Sequence, residues 1–148
     1  MVTASSQLPI STRRPKIVIS AASLPRLEAL AERFLERDPA MAGRLLDELA
    51  RARIVDQHKM PANVAAIGNV VTYRDRTTGE ERTVTLVFPG EADIAHQKVS
   101  IMTPIGIALI GLKEGASFYW DTREGERRML TLVRVASAVS AGVPQGES

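Results

Sequence analysis

Few residues in this chain are of types that do chemistry in company, and their spacing excludes most of what they could do. His58 and His96 are the only histidines and cysteine is absent. A zinc site therefore has too few ligands, and disulfides and thiol nucleophiles are excluded together. Serine, histidine and aspartate all occur, but no serine stands on the strand-turn-helix elbow that a hydrolase uses to present its hydroxyl. Gly106 and Gly111 lack the strand-loop-helix frame and the lysine of a phosphate-binding loop. What remains is a corner built to hold shape. Thr103 can accept a hydrogen bond from the open N–H groups of a helix start, and Pro104 suits the first helical position. Gly111 then ends the helix after about two turns. Met102, Thr103 and Pro104 are expected to form a rigid, exposed corner.

The elements that must position this corner follow from periodicity. A helix over 104–110 is too short to stand alone in water, so residues among Ile105, Ile107, Leu109 and Ile110 must press onto a sheet. Strands are predicted over 16–20, 69–73, 82–88, 98–102, 117–122 and 127–136, with Gly79 supplying the positive φ of a tight hairpin. Upstream, Leu27, Leu30, Ala31, Phe34 and Leu35 recur at three- and four-residue steps over 24–37, after a start at Ser23 and Pro25. Leu45, Leu46, Leu49 and Ala52 do the same over 41–54. Asp38-Pro39 marks the turn between them, giving a short antiparallel helical hairpin. Glu28, Glu32, Arg33, Arg44, Asp47 and Arg51 fall mostly off the apolar stripe and read as a solvated face. Arg44 with Glu48, and Asp47 with Arg51, have the spacing of helical ion pairs. Tyr119 and Trp120 alternate along one strand, which puts one in the core and the other outside. The order is α+β: disordered tails at 1–15 and 138–148, a strand and hairpin over 16–57, and a sheet with one short helix over 58–137.

Composition narrows the function classes. With 45% hydrophobic residues in 148, the chain can bury a modest core. Nineteen basic residues against 17 acidic ones leave +2, too little to predict strong or sequence-specific nucleic-acid binding. Arg13, Arg14 and Lys16 form a small basic cluster read as part of a solvated tail. No apolar run has the length of a secretory core or a membrane span, so a cytoplasmic protein with no membrane contact is expected. No cofactor is called for.

From Val70 to Val135 the chain resembles the C-terminal domain of the bacterial Gre transcript-cleavage factors. The likeness is carried by VTYRDRTTGEERTVTLVFPGEADI, by VSIMTPIGIALIGLKEG and by a closing pair of strands. With the short hairpin and the KIVIS strand, the whole is similar to the branch of that family named for regulation of nucleoside diphosphate kinase. The resemblance implies an FKBP-like antiparallel domain preceded by a coiled-coil hairpin, and bacterial RNA polymerase as partner. It implies that Ser100, Met102, Thr103, Pro104 and Ile105 contact the rim of the polymerase secondary channel, with Met102 standing where the family usually has aspartate. Cleavage in that family resembles metal-assisted hydrolysis by acidic residues at the hairpin tip. Here the Gly-Asp-Leu-x-Glu-Asn tip motif is absent, and arms of roughly fourteen residues extend only about 20 Å. Glu36 and Asp38 near the turn are the available substitutes, although Asp38 before Pro39 also suits an ordinary turn.

The expected function is therefore a non-enzymatic transcription regulator that binds the secondary-channel rim and competes with Gre factors. The first alternative is a cleavage-stimulating factor acting through Glu36 and Asp38. The second is a peptidyl-prolyl isomerase on an FKBP-like fold, for which Phe34, Phe88, Phe118, Tyr73, Tyr119 and Trp120 offer few rings for a proline cradle. Any link to nucleoside diphosphate kinase is expected to be indirect, through transcription.

Overall fold

The computed structural model describes residues 15–121 and 124–137, apart from the side chains of Trp120 and Asp121. The basic pair Arg13 and Arg14 and the expected tails lie outside the described residues, except for Pro15. The chain opens with strand β1 (Val18–Ser20), followed by helices α1 (Leu24–Phe34) and α2 (Pro39–Arg51) and strand β2 (Arg53–Val55). A 3₁₀ turn at Gln57–Lys59 leads to β3 (Asn69–Asp75) and β4 (Glu81–Val87). Two further 3₁₀ turns, Pro89–Glu91 and Ile94–His96, precede β5 (Lys98–Ser100). Helix α3 (Pro104–Leu109), β6 (Ser117–Asp121) and β7 (Arg127–Ser137) complete the order. The fold is α+β.

The hairpin forms for the reasons its sequence gives. Leu27, Leu30 and Ala31 of α1 and Met41, Ala42, Leu45 and Leu49 of α2 are buried along one stripe. Pro39 opens α2 at a position where its missing N–H costs nothing. Two details differ from the expected pattern. The second helix stops at Arg51, and Arg53–Val55 pairs in parallel with Val18–Ser20. Glu48, expected as a helical ion-pair partner of Arg44, is only 5% exposed. It accepts hydrogen bonds from Arg51 Nε at 3.1 Å and Nη2 at 2.8 Å, so Arg51 pairs three residues back rather than with Asp47.

The five-stranded sheet has the order β5-β4-β3-β7-β6. Its pairs are antiparallel except β4 with β5, which run parallel, a departure from the all-antiparallel sheet expected. Gly79, at φ +79°, closes the β3–β4 turn. A register shift between Thr72 and Tyr73 marks a bulge against β7.

Hairpin and sheet share one core. Ile17, Ile19, Leu27, Leu30 and Leu45 lie in the same buried cluster as Leu86, Ile107, Leu109, Leu130 and Leu132. Gly111 is the stitch between them: its φ is +79°, its N–H donates to Ala65 O at 2.7 Å, and its carbonyl accepts from Val18 N at 2.9 Å. A Cβ there would sit 2.9 Å from Ile17 Cβ, so only glycine fits both the turn and the contact. Among the described residues no helix is long and apolar enough to cross a membrane.

Candidate functional site

The corner between β5 and α3 is the best-defined candidate. Thr103 caps α3: its Oγ1 accepts from Gly106 N at 3.1 Å and donates to Ser100 O at 2.7 Å. Ser100 Oγ in turn accepts from Met102 N at 2.9 Å. Gly106 allows the helix to lie on the preceding turn, because a Cβ at that position would be 2.3 Å from Ser100 O and 2.6 Å from Ile101 Cα. The five expected contact residues are thus brought together in one pinned turn.

Their exposure differs from the sequence expectation. Met102 is only 5% exposed and packs in the core cluster, and Pro104 is buried as well. The close approach at Gly106 draws both inward, leaving Ser100, Thr103 and Ile105 half-buried at the surface. No residue from Ser100 to Ile105 is ionisable, so whatever meets this corner is read by shape and hydrogen bonds.

At the hairpin turn, Asp38 is the N-cap of α2, and its side chain accepts from Met41 N at 3.3 Å. Glu36 beside it is exposed. Among the described residues no three His, Cys, Asp or Glu side chains gather to hold a metal ion. His58 and His96 are both exposed, and His96 Nδ1 lies 2.7 Å from Asp93 Oδ2. Phe118 is buried while Tyr119 is half-buried under the Arg127 guanidinium, 5.6 Å from its ring centre; the side chain of Trp120 lies outside the described residues.

The ionisable groups with shifted affinity for protons lie on the sheet, away from the corner sequence. Burial raises the Asp75 carboxyl, but hydrogen bonds from Arg128 and from the N–H groups of Thr77 and Thr78, with the Arg128 charge, outweigh it and hold the group below its ordinary value. Arg128 Nη1 lies 2.7 Å from Asp75 Oδ2. Tyr73 is pushed up chiefly by burial.

A second feature was not singled out from sequence. A groove of about 730 Å³ runs between α1 and the Pro89–Glu91 turn, lined by Arg26, Arg33, Phe34, Arg37, Phe88 and Glu91 among others. The spacing of its arginines was visible in the sequence, but its far wall comes from a segment more than fifty residues away.

Residues 60–137 match the family described as transcription elongation factor GreA/GreB, C-terminal, and residues 15–55 match the Rnk N-terminus. The regulator of nucleoside diphosphate kinase of Escherichia coli K12 is 33% identical over 112 residues, 76% of this chain and 82% of that protein. Transcription elongation factor GreA of Azorhizobium caulinodans is 37% identical over 83 residues, 56% of this chain and 53% of that one. Among solved structures, a prokaryotic transcription elongation factor GreA/GreB from Nitrosomonas europaea aligns with a TM-score of 0.66 and 35% identity, covering 82% of this chain and 99% of that one.

Proposed function

The chain belongs to the GreA/GreB family of transcription elongation factors and carries an Rnk-type N-terminus, and from that premise we propose that it is a non-catalytic regulator of transcription acting on RNA polymerase in the cytoplasm. It docks at the rim of the secondary channel through the surface of the β5–α3 corner and competes there with Gre factors. Ser100, Thr103 and Ile105 make the contact, while Met102 and Pro104 fix the shape of the turn from inside. The sheet crossed by one short helix supports an FKBP-like reading of 58–137, and the paired apolar stripes support a coiled-coil reading of the hairpin. Any effect on nucleoside diphosphate kinase follows from transcription.

The observation that carries this reading against a cleavage role is the state of Asp38. Its carboxylate is engaged as a helix cap, and the helices are 11 and 13 residues long, about 17 and 20 Å at 1.5 Å per residue. A blocking element needs neither length nor a free acidic pair.

The test is competition for RNA polymerase core enzyme between this protein and a Gre factor, with Ile105→Asp as the variant, since Ile105 reaches the surface and Pro104 does not. Displacement by the natural protein, lost in a folded Ile105→Asp variant, is the expected result. Acceleration of transcript cleavage in a backtracked complex, abolished by Asp38→Ala, would overturn it.

A further inference from the structure

Helix α1 carries three stripes rather than two. At about 100° per residue, Leu27, Leu30, Ala31 and Phe34 cover one side, and Glu28, Glu32 and Glu36 another. Arg26, Arg33 and Arg37 fall within an arc of roughly 40° on the flank of the apolar side. Arg37 stands just past the helix, in a turn where Asp38 N still donates to Phe34 O at 2.8 Å, four residues back, so it keeps a helical bearing. This flank is one wall of the groove; Phe88, Pro89 and Glu91 are on the other. Among the described residues none of the three arginines is in an ion pair. Two are held against rings instead: Arg26 lies 4.5 Å from the centre of Phe88 and Arg37 4.9 Å from that of Phe34.

We infer that this groove is a docking site for an acidic helical segment of a protein partner. Three unneutralised cations along one strip attract carboxylates, and guanidinium planes already stacked on rings present their paired N–H donors with less rotamer freedom left to lose. Phe34 and Phe88, both half-buried, line the same groove and take an apolar side chain of the incoming helix. Spacing adds specificity. Arg26 to Arg33 and Arg33 to Arg37 are seven and four residues, about 10 and 6 Å along a helix axis. A partner helix with carboxylates seven and four residues apart repeats those intervals. A nucleic-acid strand fits less well, because Phe34 and Phe88 each already carry a guanidinium on a ring face, which takes up faces that bases would stack on. The inference does not rest on the polymerase reading, since the corner from Ser100 to Ile105 is uncharged and its binding is expected to resist salt.

The test uses the full-length protein and fluorescence anisotropy with two labelled helical peptides of equal composition. One carries glutamates four and seven residues apart beside a leucine face; the other has the glutamates moved to the side opposite the leucines. The first peptide is expected to bind at least about tenfold tighter than the second, and more weakly as salt is raised. Arg26→Glu with Arg33→Glu lowers its affinity by about tenfold or more, and Arg33→Gln, which adds no like charge, lowers it less. All three side chains are exposed, so circular dichroism should be unchanged. Equal binding of the two peptides, or binding indifferent to charge reversal, overturns the inference. Displacement of the peptide by a short single-stranded RNA at lower concentration than the peptide itself needs also overturns it, and assigns the groove to nucleic acid.

Discussion

Replacing Gly106 by alanine tests whether the corner is held by close backbone contact. The added Cβ would meet Ser100 O at 2.3 Å, Ile101 Cα at 2.6 Å and Ile101 C at 3.0 Å. All three are backbone atoms, so no side chain can swing aside. Reaching ordinary contact distances of about 3.5 Å requires α3 and the turn before it to part by about 1 Å. The movement breaks the bonds from Thr103 Oγ1 to Ser100 O and from Gly106 N to Thr103 Oγ1, now 2.7 and 3.1 Å. Overpacking costs about 1–3 kcal/mol and a lost cap about 1 kcal/mol. Alanine returns about 1 kcal/mol of helix propensity. The net loss is about 2 kcal/mol, which in a domain of this size lowers Tm by roughly 6–8 °C.

Gly43→Ala supplies the control within the same molecule. Gly43 lies inside α2, and a Cβ there meets nothing within 4 Å. The substitution should raise stability by about 0.5–1 kcal/mol. Thermal melts followed by far-ultraviolet circular dichroism, run side by side on the two variants, should therefore move in opposite directions. If Gly106→Ala melts with the natural protein, or both variants shift the same way, the close approach of α3 to the corner is refuted.

Two further outcomes follow from the same geometry. Thr103→Ala should cost about 1 kcal/mol in urea unfolding while Thr103→Ser keeps most of the stability, since the cap needs only the hydroxyl; equal losses would show that the methyl group's packing, and not the cap, matters. Asp75 has a folded pKa below its ordinary 3.8, so its contribution is present above that value and is lost as pH falls through the lower folded one. Between pH 6 and pH 3 the natural protein should lose more stability than Asp75→Asn, read from urea midpoints, and parallel losses would refute the role of the Arg128 contact.

The parts of this fold that were legible in the sequence are those set by local chemistry. The start of α3 at Thr103-Pro104 and its stop at Gly111 depend on capping and on a positive φ, both written into adjacent residues. The hairpin was legible because each helix repeats its apolar stripe over three turns or more. The inward packing of Met102 and Pro104 was not, because it depends on how closely Gly106 approaches Ser100 and Ile101. Strand β2 escaped for a related reason. Arg53, Ile54 and Val55 continue the hydrophobic spacing of the helix before them, and only pairing with Val18–Ser20, more than thirty residues earlier, makes them a strand. The arginine stripe of α1 was readable as a period, yet it looks like any solvated face until the turn at Pro89–Glu91 closes a groove beside it.

The stitch at Gly111 connects these observations to the proposed mode of action. It follows directly on the helix that Thr103 caps, and it bonds to β1, the strand that enters the hairpin, and to Ala65, the segment that leads into the sheet. Strand β2, which leaves the hairpin, closes the same unit by pairing with β1, and Arg53 N donates to Ile17 O at 2.9 Å. The direction of the hairpin is therefore fixed relative to the corner by backbone hydrogen bonds and a shared core, with no free linker between them. On the proposed reading, a protein held at the corner has no freedom in where its hairpin points. An obstacle of about 20 Å placed that rigidly excludes a competitor by volume alone. Such exclusion asks nothing of the tip chemically, which is consistent with a tip whose aspartate is engaged in capping its own helix.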